Sequence, residues 1–261
     1  MRELFDELAG KSPLDPREAS RKSSRTPLRS RFYKTASAVE AEGGFAVALD
    51  GKPIRTPGKN ALVAPNRALA EAMAAEWNAQ GAQIDPMSMP LTRLANSAID
   101  GVAANAQAVA DDIAKYFGSD LLFYRASFPE ELIARQAQYW DPVLRWAADD
   151  LGAHFILTEG VMHVAQPDAA VAVARAKLPK DTPNNSWLLA AMHIATAITG
   201  SALLALALKE DFLDTSQVWA AADVDVDWNA EKWGSDGEVE LRRAARLRDF
   251  EAAALVIKTL A

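Results

Sequence analysis

Between Trp187 and Leu208 the chain carries no Asp, Glu, Lys or Arg, and a run of that length has two destinations: the hydrocarbon of a bilayer or the centre of a protein core. Ala predominates in it, and His193, Thr196, Thr199, Gly200 and Ser201 lower its transfer energy well below that of a Leu-rich span. The flanks lack the aromatic and basic anchoring of a membrane helix. Thr199-Gly200-Ser201 also interrupts the helical pattern. The segment therefore reads as a buried helical hairpin or broken helix, without stable membrane insertion. A chain of 261 residues is long enough to enclose it.

The first third has a different periodicity. Phe45, Val47 and Leu49 alternate with small residues, Asp50-Gly51 is a two-residue turn signal, and Ile54 is expected to open an answering strand that Thr56-Pro57-Gly58 cuts short. Ala61-Leu62-Val63 can add a further strand. Asn66 is placed to cap a helix to about Gln80, with Leu69, Met73, Ala74 and Trp77 as its apolar stripe. A hairpin alone is marginal in water, so this helix must pack across it. After Pro90 a helix puts Leu91, Leu94, Ala95 and Ala98 on one face, with Thr92 and Asn96 turned elsewhere.

Beyond that the pattern is mainly helical, over 104–117, 129–151, 168–178, 187–208, 214–222 and 237–260. In the second of these, Leu132, Gln136, Trp140 and Leu144 form the stripe, and Pro142 is expected to kink it. His154–Thr158 and Val161–Val164 read as a hairpin about Glu159-Gly160. The last helix starts with Ser235 and Glu238 at capping-box spacing, and Leu247, Phe250, Ala254 and Ile257 mark its buried stripe. The fold class is α+β: a small antiparallel sheet with a packed helix at the N-terminal side, followed by a mostly α-helical domain. The expected organisation is a flexible extension over 1–30, a β-rich domain over 31–100 and a helical domain over 101–261.

Charge is segregated. From Arg17 to Lys34 there are seven basic residues against one Glu, whereas from Glu210 to Glu240 there are ten acidic residues against Lys232. The basic arm has no interleaved aromatics before Phe32-Tyr33, so it reads as a solvated tail with no nucleic-acid partner. Glu3, Asp6, Glu7, Asp15 and Glu18 make a poor mitochondrial leader, and no apolar stretch suggests secretion. The absence of Cys excludes disulfides, thiol catalysis and Cys-based metal sites.

No phosphate loop, dinucleotide fingerprint, nucleophile elbow or zinc-protease motif is present. His154, His163 and His193 are spread over separate elements, and no metal site or other cofactor is expected. Asp223, Asp225 and Asp227 imitate the opening of a calcium loop, but Trp228 stands where the sharp turn needs Gly, which leaves an acidic turn. The carboxylates of 223–240 also fit acid–base chemistry, so a carboxylate-dependent hydrolase and a membrane-associated scaffold remain as alternatives. Trp219, Trp228 and Trp233 among those acids fit either interface anchors or core residues.

The strings Arg31-Phe32-Tyr33-Lys34, Leu49-Asp50-Gly51-Lys52-Pro53, Glu76-Trp77, Met89–Asn96 with Asp100, Tyr116–Leu122, Tyr124-Arg125, Gln138–Pro142 and Glu231-Lys232-Trp233-Gly234 together resemble the assembly chaperones acting on the alpha subunit of the ATP synthase F1 headpiece. That family comprises a mitochondrial assembly factor and its alphaproteobacterial relatives. The resemblance runs from about Arg31 to the C-terminus. It implies a non-enzymatic, ATP-independent chaperone that binds the unassembled alpha subunit and is displaced by the beta subunit. It also implies a bacterial cytoplasm, or a mitochondrial matrix if eukaryotic. An acidic residue near the Trp-Gly segment is implied to matter. The expected partner-binding residues are Glu240 above all, with Glu238, Asp236, Trp233 and Glu231. Arg93 and Asn96 come second, since ties between helix and sheet are the readier account of them.

Overall fold

The computed structural model describes residues 28–180 and 185–261; most of the extension expected over 1–30 lies outside the described residues. Two compact units divide these residues: 28–32 with 80–85, and 33–79 with 86–261. In the first, the short strands Arg29–Ser30 and Gln83–Ile84 pair antiparallel.

The second unit holds the rest of the α+β fold. Strands β1 (Ala36–Ala41) and β2 (Gly44–Leu49) form an antiparallel hairpin in which Ala41 faces Gly44. Asp50 and Gly51, both at positive φ (47° and 79°), turn β2 into β3 (Lys52–Pro53), with Leu49 opposite Lys52. The answering strand thus opens at Lys52, two residues before the expected Ile54, because a two-residue loop leaves Lys52 as the first residue able to face Leu49. Strand β1 was not legible in the pattern, since its Ala-rich, half-exposed residues give little alternation. The turn is anchored from outside: the Asp50 carboxylate accepts the backbone N–H groups of Lys34 (3.0 Å) and Thr35 (2.9 Å).

Strand β4 (Val63–Ala64) also pairs with β2, and helix α1 (Arg67–Asn78) then crosses the sheet. Asn66 caps α1 by accepting the Leu69 N–H at 3.0 Å. Leu69, Ala70, Met73 and Ala74 are buried. Trp77 is half-buried, and its carbonyl accepts the Tyr33 hydroxyl at 2.6 Å.

Helix α2 (Pro90–Ser97) passes through a π-helical turn, Ala98–Val102, into α3 (Ala103–Tyr116). Thr92 is buried on the inner face of α2, contrary to its expected outward placement, because Glu76 supplies a polar partner there. A 3-10 turn, Leu121–Phe123, leads to β5 (Tyr124–Arg125), followed by α4 (Glu130–Asp149) with Pro142 inside it. The expected hairpin over 154–164 does not form. Its one strand, β6 (Thr158–Glu159), pairs in parallel with β5, while the side-chain amide of Gln166 brackets the backbone of Ile156, accepting its N–H and donating to its carbonyl at 2.8 and 2.9 Å. An amide that takes both backbone groups leaves no place for a hairpin partner.

After α5 (Asp168–Ala176) the charge-free run becomes two helices, α6 (Ser186–Thr199) and α7 (Ala202–Lys209). Gly200 at φ 70° ends the first and the Ser201 hydroxyl caps the second through Leu204 N–H, 3.0 Å. Residues 202–208 are all buried. Among the described residues no helix is long and apolar enough to cross a membrane. Helices α8 (Thr215–Ala222), α9 (Val224–Trp233) and α10 (Gly237–Leu260) complete the chain. The run read as an acidic turn, 223–227, is the start of α9: Asp225 and Asp227 sit in its first turn, where the helix dipole favours negative charge. Helix α6 is the central element, packed by α3, α7 and α10, and α2 contacts both α6 and α10.

Candidate functional site

The acidic, Trp-bearing segment lies where α9 turns into α10. Gly234, at φ 79°, lets the chain leave α9, and Asp236 caps α10 by accepting the N–H groups of Glu238 (2.6 Å) and Val239 (3.1 Å). The cap is therefore Asp236, one residue beyond the expected Ser235, because its carboxylate reaches both free N–H groups. Every residue from 231 to 242 is exposed. Apolar side chains share that exposure: Trp233 at 73%, Leu241 at 74% and Val239 at 45%. A helix end that buries none of its faces is not held by packing, so polar ties must hold it.

Those ties run from α9 to α4, which is itself bonded to α8. The Arg135 guanidinium grips Glu231 with two bonds of 2.9 and 2.8 Å and holds its carboxyl below the ordinary range. Lys232 pairs with Glu131 at 2.6 Å, and Gln136 donates to Asp225 at 2.8 Å. Trp140, fully buried, donates its indole N–H to the Ala221 carbonyl at 2.7 Å. On the other side Arg243 of α10 pairs with both Asp223 and Asp227. Arg246 donates to the Ile198 carbonyl at 2.8 Å and lies over the Trp219 ring.

The expected partner-binding residues thus separate by environment. Glu240 is exposed and makes no side-chain bond or ion pair among the described residues, and Trp233 stands out with its ring edge-on to Trp228, 5.2 Å between centroids. Glu238 pairs with Arg242 one helical turn away, Asp236 is the helix cap, and Glu231 is tied to α4. Trp228 is buried and Trp219 packs on Phe250, so of the three tryptophans only Trp233 is free of the core. Arg93 and Asn96 lie apart: Arg93 bridges α2 to α10 through Asp249, and Asn96 lines a surface cavity of about 630 Å³ with Asp100, Asn105 and His193.

Arg243 and Arg246 were not singled out from the sequence. Their signal was present, since two arginines three apart on α10 follow a cluster of aspartates, but chain order does not say which acids they meet. Among the described residues no group of three or more His or acidic side chains is placed to hold a metal ion. His193 pairs instead with Asp112 at 2.9 Å.

Comparison with known proteins gives this surface its setting. Residues 30–148 match the family model of the ATP12 chaperone protein. The Agrobacterium tumefaciens protein Atu1473 superposes with TM-score 0.83 at 50% identity over 100% of this chain and 97% of that one. Atp12 from Paracoccus denitrificans does so with TM-score 0.79 at 40% identity, over 89% and 99%. The mitochondrial protein atp12 of Schizosaccharomyces pombe is 21% identical over 227 residues, 80% of this chain and 75% of that protein. An α+β scaffold with this likeness is a chaperone. The chain belongs to the ATP12 chaperone protein family, the ATP synthase assembly chaperones that its sequence strings resemble.

Proposed function

We propose that this chaperone binds the unassembled alpha subunit of the ATP synthase headpiece through the α9–α10 turn, with Glu240 and Trp233 as its principal contacts, and is displaced by the beta subunit. The observation that carries this reading is the run 231–242, exposed throughout, in which Trp233, Val239 and Leu241 stand among four carboxylates. Exposed apolar side chains with a charged rim are the usual form of an interface. Glu238 and Asp236 shape the turn, and Glu231 fixes it to α4. Arg93 supports the position of α10 from α2 through Asp249, while Asn96 stands apart on the wall of the neighbouring cavity.

An orphan ring subunit exposes the apolar faces it will later share with its neighbours, and covering them suppresses aggregating contacts by mass action. Release needs no nucleotide when the incoming beta subunit binds the same face more tightly. The protein is a binding protein rather than an enzyme in this reading. The 40–50% identity to proteins of Paracoccus and Agrobacterium, against 21% to the yeast mitochondrial one, supports action in a bacterial cytoplasm.

The test is light scattering of cognate alpha subunit diluted from denaturant, with and without the chaperone, followed by beta subunit. Suppressed aggregation and displacement by beta are expected, with Glu240→Lys weakening suppression at unchanged melting temperature. Unchanged aggregation and no complex on gel filtration would overturn the proposal.

A further inference from the structure

The most exposed apolar side chains outside the α9–α10 turn are Val161 (92%), Phe128 (79%) and Met162 (76%), and the fold brings their chain segments to one place. Strands β5 and β6 run parallel, Tyr124 beside Thr158 and Arg125 beside Glu159, so both leave the ladder at the same end. The Gly160 N–H donates to the Arg125 carbonyl at 2.9 Å and extends that alignment past the strands. Phe128 follows Arg125 by three residues, and Val161-Met162 follow Glu159 directly after Gly160. Ile156 and Leu157, each 45% exposed, precede the ladder on the same loop. A solvent turn is ordinarily polar, and an apolar tip here leaves surface uncovered.

This tip is linked to the α9–α10 turn through the start of α4. Phe128 is two residues before Glu130, where α4 begins, and Glu131 in the first turn of α4 pairs with Lys232, the neighbour of Trp233. The charge left over at its rim is acidic: Arg125 is paired with Asp141 and Lys232 with Glu131, whereas the exposed Glu130 and Glu159 make no ion pair among the described residues. The geometry points to a second client-binding surface, formed by Phe128, Val161 and Met162, that takes an apolar segment flanked by Lys or Arg on the same unassembled subunit; it rests on the function proposed above. A second copy of this chain is a poorer occupant, because the net charge of −7 and the acidic rim repel their like. Met162 suits a client that is not yet fully folded, since its unbranched side chain adapts to irregular contacts.

The experiment measures the affinity of the full-length chaperone for cognate alpha subunit by biolayer interferometry, comparing wild type, the double variant Val161→Ser/Met162→Ser, and Glu240→Lys, each at low and high salt. Both positions are exposed, so the double variant should keep the wild-type melting temperature. A roughly tenfold or greater loss of affinity in that variant is expected, together with photocrosslinking to alpha from a benzoylphenylalanine at position 162. If the double variant binds like wild type and no crosslink forms while Glu240→Lys weakens binding, the second surface is wrong and the function stands. If wild type does not bind alpha, both readings fall. If the double substitution changes only the sedimentation of the chaperone alone, the face joins two copies and the proposal is overturned.

Discussion

Glu76 on α1 accepts both the backbone N–H and the hydroxyl of Thr92, at 2.8 and 2.7 Å, and its other oxygen takes the Leu91 N–H at 2.7 Å. Helix α2 has no side-chain cap of its own at Met89, so a carboxylate from another helix satisfies its first free N–H groups. The tie fixes α2, and through α2 the position of α10, at whose start the exposed α9–α10 turn lies. Glu76→Ala should therefore cost about 2 kcal/mol, the upper range for a lost cap with a polar hydroxyl left in the interior. Urea unfolding followed by tryptophan fluorescence would measure it, and an unchanged midpoint would show that water replaces the carboxylate without penalty.

The salt bridges on α10 should differ widely in weight. Arg243 reaches Asp223, whose side chain is 1% exposed, whereas Glu238 and Arg242 are each 72% exposed. Removing one partner of a buried pair strands the other charge, so Arg243→Met should destabilise by about 3 kcal/mol, the low end because Arg246 remains 3.8 Å from Asp223. Glu238→Ala should change stability by less than about 0.5 kcal/mol. Equal effects in calorimetry would contradict this ranking.

Asp120 gives the fold a pH dependence. It lies fully buried, accepting Leu122 N–H at 3.2 Å and Leu203 N–H at 3.0 Å, and burial pushes its carboxyl from 3.8 to about 6. A raised acid pKa means that the folded chain holds the proton more tightly than the unfolded chain. The stability this group contributes is fully present below pH 3.8 and is lost as pH rises through about 6. The slope of unfolding free energy against pH in that window should be shallower in Asp120→Asn than in wild type, because the substituted side chain has no proton to lose. Identical slopes in wild type and Asp120→Asn would assign the dependence to other groups.

Gly44 closes β2 against β4. A Cβ there would stand 2.1 Å from the Ala64 carbonyl oxygen, with φ at 151°, whereas a Cβ on Gly43 would meet nothing within 4 Å. Gly44→Ala should cost about 3 kcal/mol by forcing the strands apart. Gly43→Ala should cost only about 1 kcal/mol, from its left-handed backbone. Comparing the two melting temperatures separates close approach from turn strain.

Much of this protein was written into local pattern. The Asp50-Gly51 turn, the Asn66 cap, Pro90 at the head of α2 and the break at Gly200-Ser201 follow from residues whose backbone preferences act within a few positions. The charge-free run had to be buried wherever it went. The acidic, Trp-bearing turn was also visible, because composition there changes abruptly.

Tertiary structure decided what periodicity cannot carry. Whether 154–164 forms a hairpin depends on Gln166 and on β5, some thirty residues upstream of β6. That Glu76 serves Thr92 and Arg243 serves Asp223 is a matter of which helices cross. Trp219, Trp228 and Trp233 are alike in sequence context, and only the packing of α4, α9 and α10 buries Trp228 and leaves Trp233 in solvent. Local sequence sets backbone preference and the need for burial. Which polar groups meet, and which apolar ones are left over for a partner, is fixed only when distant elements compete for the same space.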